Sequence, residues 1–356
     1  MNFNSWMRRV EATPPDRFTT GAALAIVAIG FFDHFTGPIV SLLVLYLVPV
    51  TATAWIAGTR RAHALALLAA ITWAVADRIG PLAEPKAPIA YLNDISMLAV
   101  FLFLNVVVST LRKQTERERD LIQEVQRHLL PSVPSLPNVD IASRWIPAWT
   151  VAGDYYDVIE AGPHRIAICL ADVSGKGMAA ALTMSNVQAT IHALTADRLA
   201  PEHVLGTLNR VECHRLRRGS FVTIFYALLD TENGELLYAS GGHNPPLLRR
   251  ADGTLVRLEP TGPVTGILPG AEYHSVRIQL TPGDRLVIYS DGVTEYENRE
   301  GDEFGEGRLR ELLSRSEVGS AEQICSSIVE TLARFGRNRP YDDDVTMLVI
   351  ACAPPV

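Results

Sequence analysis

The sequence predicts two architectures in series: an all-α bundle of four membrane spans, then an α+β domain, joined by a charged helical linker. Three observations carry this. Apolar residues make up 48% of the 356, yet they crowd into roughly the first 110 positions while charged residues, 20% overall, are sparse there. From residue 111 the composition flips to LRKQTERERDLIQEVQRHLL. Beyond residue 131, short alternating apolar runs separated by glycine-rich turns, with helical patterns segregated from them, argue for α+β layers rather than a repeating parallel βαβ sheet.

The four spans are read at about 19–36, 38–57, 62–79 and 88–110, each near the length that crosses a bilayer. The first and third are short or polar at one end. Met1 to Arg17 is too polar, and too closely followed by further apolar runs, to be a cleaved leader. Basic residues flank the spans at Arg8, Arg9 and Arg17, at Arg60 and Arg61, and at Arg112 and Lys113, which puts both termini on the cytoplasmic side of the membrane. On that topology Asp33, His34, Asp77, Asn93 and Asp94 gather near the outer ends of the spans. Such a cluster is either a sensing site, since ionisable groups near lipid are costly, or interfacial solvation with an Arg78–Asp ion pair.

In the linker, 111–131, Leu111, Leu121, Ile122, Val125 and Leu129 recur at spacings of three and four. That is the seam of a homodimeric coiled coil or of a helix packed on its own domain. PSVPSLP then stops the helix, because its three prolines cannot continue it. The remaining chain, 132–356, forms one domain. Strands are expected in VDIASRWIP, YDVIEAG, RIAICLADV, SFVTIFYALLD, GELLYASGG, DRLVIYSD and DVTMLVIAC. Helices are expected at Met178–Leu194, Pro201–Leu216, Gly307–Ser316 and Ala321–Phe335.

The chemistry centres on RIAICLADVSGKGMAAALT, where an alternating strand delivers Asp172 to a glycine turn ahead of a helix. Taken by itself, an aspartate there reads more readily as a helix N-cap than as a metal ligand. Three other stretches repeat the device: VAGDYYDV with Asp154 and Asp157, RLVIYSDGVTE with Asp291, and DDDVTMLVI with Asp342, Asp343 and Asp344. Carboxylates collected from several strand ends suit a hard divalent cation, which prefers oxygen ligands.

Composition excludes several alternatives. A net charge of −7 argues against a nucleic-acid partner, which needs a basic face. Cys169, Cys213, Cys325 and Cys352 show no CxxC spacing, and Gly219 stands six residues after Cys213, where a thiol phosphatase loop has arginine.

QRHLLPSVPSLPNVDIASRWIPAWTVAGDYYDV, ADVSGKGMAAAL, FVTIFYALLD, YASGGHNPPLL, YSDGVTEYEN and DDDVTMLVI resemble, in order and spacing, the bacterial SpoIIE/RsbU-type branch of the metal-dependent PPM serine/threonine phosphatases. The resemblance covers essentially everything after Gln126. It implies an α-β-β-α sandwich with two divalent cations, Mn or Mg, at one sheet edge. It implies that Asp172 bridges the metals with the Val173 carbonyl beside it, that Asp291 is a second shared ligand, Asp343 a third and Asp154 a further one. Asp172 and Asp291 are thereby the catalytic acids. The residues themselves leave open which of Asp342, Asp343 and Asp344 ligates. His243 in GGHNPP reads as structural before general acid, Lys176 as a solvated helix-start residue before a phosphate contact, and Asp157 as structural. Ala152 stands where the family commonly has glycine, and Thr265 where leucine is usual. Neither is a proposed ligand.

Three functions are therefore expected in order. The first is a membrane-anchored phosphatase hydrolysing phosphoserine or phosphothreonine on a signalling partner, by resemblance an anti-anti-sigma (STAS) protein. The second is a catalytically idle membrane receptor using the same fold to bind. A nucleotide cyclase, suggested by AGDYYD after a membrane module, explains none of the later motifs.

Overall fold

The chain is described by a computed structural model covering residues 13–36, 42–79, 89–129, 131, 136, 138–217, 219–315 and 319–352. It divides into two compact units, Met1–Arg119 and Asp120–Val356. The division falls inside the linker rather than at its ends.

Among the described residues the first unit holds four helices: α1 (Pro15–Thr36), α2 (Leu43–Ile56), α3 (Thr59–Ile79) and the start of α4 (Ile89–Leu129). Ile26, Tyr46, Val50, Leu65, Ala66, Ala69 and Phe101 form its core. Asn105 Nδ2 donates to Ala62 O at 3.0 Å. Leu24, Phe31, Phe32, Leu67 and Phe103 point outward, each more than half exposed. Four helices form where four spans are expected, but only Pro15–Phe35 and Asp94–Gln126 are long and apolar enough to cross a bilayer among the described residues. The shorter α2 has 14 residues, and α3 carries Arg60, Arg61, His63, Asp77 and Arg78. Of the expected polar cluster, Arg78 pairs with Asp94 and Tyr46 OH donates to Asp33 Oδ2 at 3.5 Å. The side chains of Asp77 and Asn93 lie outside the described residues.

The second unit is an α-β-β-α sandwich. One sheet runs in the order β1 (Val139–Ile146), β10 (Val345–Cys352), β9 (Arg285–Tyr289), β6 (Leu247–Arg249), β7 (Leu255–Arg257). The other runs β2 (Tyr155–Gly162), β3 (Arg165–Val173), β4 (Val222–Asp230), β5 (Glu235–Gly241), β8 (Val276–Gln279). All ladders of both sheets are antiparallel.

Alternation decides what each face buries. On β3, Ile166, Ile168 and Leu170 join Tyr156 and Val158 of β2, Phe225 of β4, Leu286 and Ile288 of β9, and Leu348 and Ile350 of β10 in a core between the sheets. The intervening Ala167, Cys169 and Ala171 are small, so α5 (Met178–Ala196) and α6 (Pro201–Arg215) settle on that outer face through Met184, Val187, Ile191 and Leu205. The opposite outer face is covered by α8 (Gly305–Arg315) and α9 (Ala321–Phe335) through Leu309, Leu313, Ile328 and Leu332. A capping box starts α9, with Ser320 and Gln323 exchanging side-chain and backbone bonds.

Candidate metal centre

The rows that build the inter-sheet core continue past it as acids. After Ile166, Ile168 and Leu170, the next position on the same face of β3 is Asp172, which pairs in register with Thr223 of β4. Ahead of Tyr156 and Val158 on β2 comes Asp154. Ahead of Leu348 and Ile350 on β10 come Asp344 and Thr346, and after Leu286 and Ile288 on β9 comes Ser290. The polar ends of four strands thus meet at one rim of the sandwich. Asp291 comes directly after Ser290 as the first residue of the short helix α7 (Asp291–Thr294).

Two close approaches tie these turns together. A Cβ added to Gly292 would stand 2.0 Å from Asp344 O, so the turn after Asp291 lies directly on the turn that opens β10. A Cβ on Gly153 would stand 3.0 Å from Val173 O and 3.2 Å from Ala180 Cβ. Gly153→Ala therefore forces the Asp154 loop outward, with an expected stability loss of about 1–3 kcal/mol by overpacking, read by thermal melting. An unchanged melting temperature would contradict this packing.

The carboxylates feel one another. Burial foremost, then Asp172 and Asp344, push Asp154 well above the usual carboxylate range, against the opposing effect of the Thr346 and Ser290 hydroxyls. Burial, then Asp291, Asp343 and Asp344, raise Asp172 to about 7. Burial, then Glu295 and Asp343, raise Asp291 to about 6. Asp344 is raised by burial although Ala148 N and Gly153 N donate to its two oxygens at 2.8 and 2.7 Å. Lys176 Nζ lies 2.7 Å from Asp343 Oδ2 and donates to Asp342 O at 2.7 Å.

The helix-cap reading of Asp172 does not hold: α5 is capped by Gly177 without a side-chain bond. In the turn between β3 and α5, Gly175 and Gly177 take φ of 102° and 75°. Lys176, expected to be solvated, is exposed and also reaches across to the Asp342–Asp343 turn. Of the three consecutive acids, Asp343 is 43% exposed in its side chain and bound to Lys176, Asp342 bonds Arg339 at 2.5 Å, and Asp344 is buried at 8%. The resemblance points to Asp343, and Asp343 does lie within electrostatic reach of Asp172 and Asp291. Asp344, one of the three acids that the sequence leaves open, is the one that turns inward. Its signal is parity, because 344, 346, 348 and 350 share one face of β10.

Asp157 sits on the other face of β2. It accepts from Tyr155 OH at 2.5 Å and meets His192 Nε2 at 2.7 Å. His243 is buried, with Nδ1 2.9 Å from Thr223 Oγ1, and burial pulls it down to about 3. It stays neutral at physiological pH and offers no acidic proton. Burial also pushes every thiol up, Cys325 to about 12 and Cys352 to about 11, with Cys169 well above its ordinary value and Cys213 raised. None is a thiolate nucleophile at neutral pH.

Do these residues fit a divalent cation? Asp154 Oδ2 is buried without a hydrogen-bond partner among the described residues, and such an orphaned carboxylate oxygen is costly unless something positive meets it. The surrounding donors are oxygens of Asp172, Asp291, Asp343 and Asp344, the set a hard cation prefers. The donor chemistry fits. Among the described residues no three acidic, histidine or cysteine side chains stand in a ready-made ligand cluster. Asp343 is held by Lys176, and Asp344 by two backbone amides.

The family profile described as Stage II sporulation protein E (SpoIIE) matches residues 162–353, more than half of the chain. This chain belongs to the SpoIIE family. Membership makes it a serine/threonine phosphatase of the metal-dependent class, as the motifs implied. Phosphoserine phosphatase RsbU of Bacillus subtilis is 32% identical over 243 residues, spanning 67% of this chain and 71% of RsbU. The structure of the RsbU and RsbW domains of Rv1364c from Mycobacterium tuberculosis is similar at 29% identity and TM-score 0.54, over 64% of this chain and 63% of that one. The SiaA-PP2C domain of Pseudomonas aeruginosa shares the fold at TM-score 0.60 and 22% identity, over 67% of this SpoIIE-family chain and 98% of that domain.

Proposed function

We propose that the chain is a membrane-anchored phosphatase that removes phosphate from phosphoserine or phosphothreonine on a signalling partner, an anti-anti-sigma (STAS) protein. The observation that carries the chemistry is the meeting of Asp154, Asp172, Asp291, Asp343 and Asp344 at one sandwich rim, with Asp154 Oδ2 left without a hydrogen bond.

In this reading Asp154, Asp172, Asp291, Asp343 and the Val173 carbonyl hold two divalent cations, manganese or magnesium. Bound there, the pair would supply a water ionised near neutral pH and charge neutralisation for displacement at phosphorus. Asp172 and Asp291 set the charge that keeps the pair in place. Asp344 supports them, since its two backbone bonds hold the loop carrying Asp154. Lys176 offsets part of the negative charge at the mouth. No phosphoenzyme is required, which agrees with the protonated, buried thiols.

Membrane anchoring is supported by two helices of sufficient length and apolarity and by the outward-facing Leu24, Phe31, Phe32 and Phe103. Pairing of two chains along 111–130 is supported by Leu111, Leu121 and Val125, all more than half exposed on α4. The STAS partner rests on the likeness to RsbU, whose name states phosphoserine as its substrate.

The full-length protein in detergent, given manganese, is expected to release phosphate from a phosphoserine-bearing STAS protein and to leave its phosphotyrosine counterpart untouched. The idle-receptor alternative draws on the Asp343–Lys176 ion pair, which occupies a proposed ligand. Binding of the phosphoprotein with no release of phosphate at any manganese concentration would favour it and end the phosphatase reading.

A further inference from the structure

We infer that Gln126, on the last turn of α4, is a positioning residue for the metal centre; the inference rests on the phosphatase reading above and names a part of that site outside the acidic motifs. Gln126 is polar, yet only 3% exposed. Both ends of its amide are used on a single residue. Nε2 donates to Ala152 O at 2.7 Å, and Oε1 accepts from Ala152 N at 3.0 Å. With one residue gripped through donor and acceptor together, neither sliding nor rotation of the loop keeps both bonds.

The grip matters because of the two residues that come after Ala152. Gly153 N donates to Asp344 Oδ2 at 2.7 Å. The bare Cα of Gly153 lies against Val173 O, where an added Cβ would stand at 3.0 Å. The second is Asp154, whose backbone carbonyl also receives Trp145 Nε1 at 3.3 Å. Displacing the Ala152 backbone therefore disturbs three oxygen donors within two residues: the Asp344 carboxylate, the Val173 carbonyl and the Asp154 carboxylate. Ala152 is itself fully buried, so loss of the amide leaves its N–H and C=O unpaired and drives the loop to seek other partners. The glutamine orients groups that meet the metals without meeting them itself, and supporting partners of this kind change metal affinity by about 10–100-fold when removed.

The test compares Gln126→Met, which keeps length but makes neither bond, and Gln126→Asn, which is polar but too short to make both. Both are prepared as full-length protein in detergent alongside the wild type. Manganese binding is read from the electron paramagnetic resonance signal of free Mn²⁺, without substrate and well below each melting temperature. Phosphate release is measured against manganese concentration. The expected result is manganese binding weakened about 10–100-fold in Gln126→Met and less in Gln126→Asn, with phosphate release at saturating manganese returning to within a few-fold of wild type. A role confined to stability would lower the melting temperature but leave the manganese titration superimposable on wild type, and that outcome overturns the inference. If Gln126→Met does not fold, the same comparison is decided on Gln126→Asn. A wild type that binds no manganese would bring down the metal reading itself, a result distinct from a wild type that binds and variants that match it.

Discussion

Asp172→Asn is expected to lower manganese-dependent phosphate release by about 1,000-fold or more while making the metal-free protein melt at a higher temperature. The two effects point in opposite directions for one reason. Asp172 extends the Ile166–Ile168–Leu170 row to the rim of the inter-sheet core, where burial first, then Asp291, Asp343 and Asp344, push its carboxyl towards the protonated form. A neutral amide of the same shape removes that penalty, so the fold gains. It also removes the negative oxygen that would bind the cations, and with it electrostatic stabilisation of the kind whose removal costs about two to three orders of magnitude even for a single neutral donor. Stability exchanged for function in this way marks a site built for chemistry rather than packing. Phosphate release and thermal melting on the same sample decide it, with Asp291→Asn as the companion variant. Activity retained in both would refute the metal assignment. Activity lost together with a lower melting temperature in chelator would show that Asp172 serves the fold instead.

Where the sequence is legible, a strong local period makes it so. Alternation over RIAICLADV places β3 at Arg165–Val173 to the residue, and the helical pattern expected at Ala321–Phe335 is α9 with those bounds. Strands β6 and β7 have three residues each and β8 has four, too few for a period of two to show against the turns around them. Charge tells less than parity does. Three consecutive acids look alike in a sequence, yet only Asp344 continues the inward row of β10, while Asp342 and Asp343 are drawn to Arg339 and Lys176. Lys176 reads as solvated from sequence because its partners lie more than 160 residues away. Gln126 is silent for a similar reason: nothing in QRHLL announces a partner at Ala152. In the first unit, hydropathy finds the helices and also the unevenness of the third, since α3 combines an apolar middle with charged ends.

The pH dependence of the metal-free protein should run opposite to that of a protein stabilised by paired carboxylates. In chelator, the melting temperature is expected to fall as pH rises from about 4 to 7, and manganese is expected to restore it at about pH 7.5 while adding little at about pH 5. Proton counting gives the sign. Asp172 has an ordinary value of 3.8 and stands at about 7 in the folded chain, chiefly through burial and then through its acidic neighbours. Between those values the native state holds a proton that the unfolded chain has released, so each increment of pH favours unfolding. Stability from this carboxyl is whole below its unfolded value and lost as pH passes its folded one. Taken at full strength the loss is on the order of 4 kcal/mol, an upper bound because Asp172 keeps some contact with water. Asp291, raised to about 6, adds in the same direction over the lower part of the window. For a unit of this size that corresponds to a drop of up to about 10 °C. Cation binding reverses it by mass action, because only the folded chain gathers the carboxylates. Asp172→Asn should flatten the chelator profile, since the proton it removes is the one that moves furthest. A melting temperature that is level or rising from about pH 5 to about pH 7.5 in chelator would mean that these carboxylates are already neutralised by something other than a proton, and the case for an ion-binding rim would fail with it.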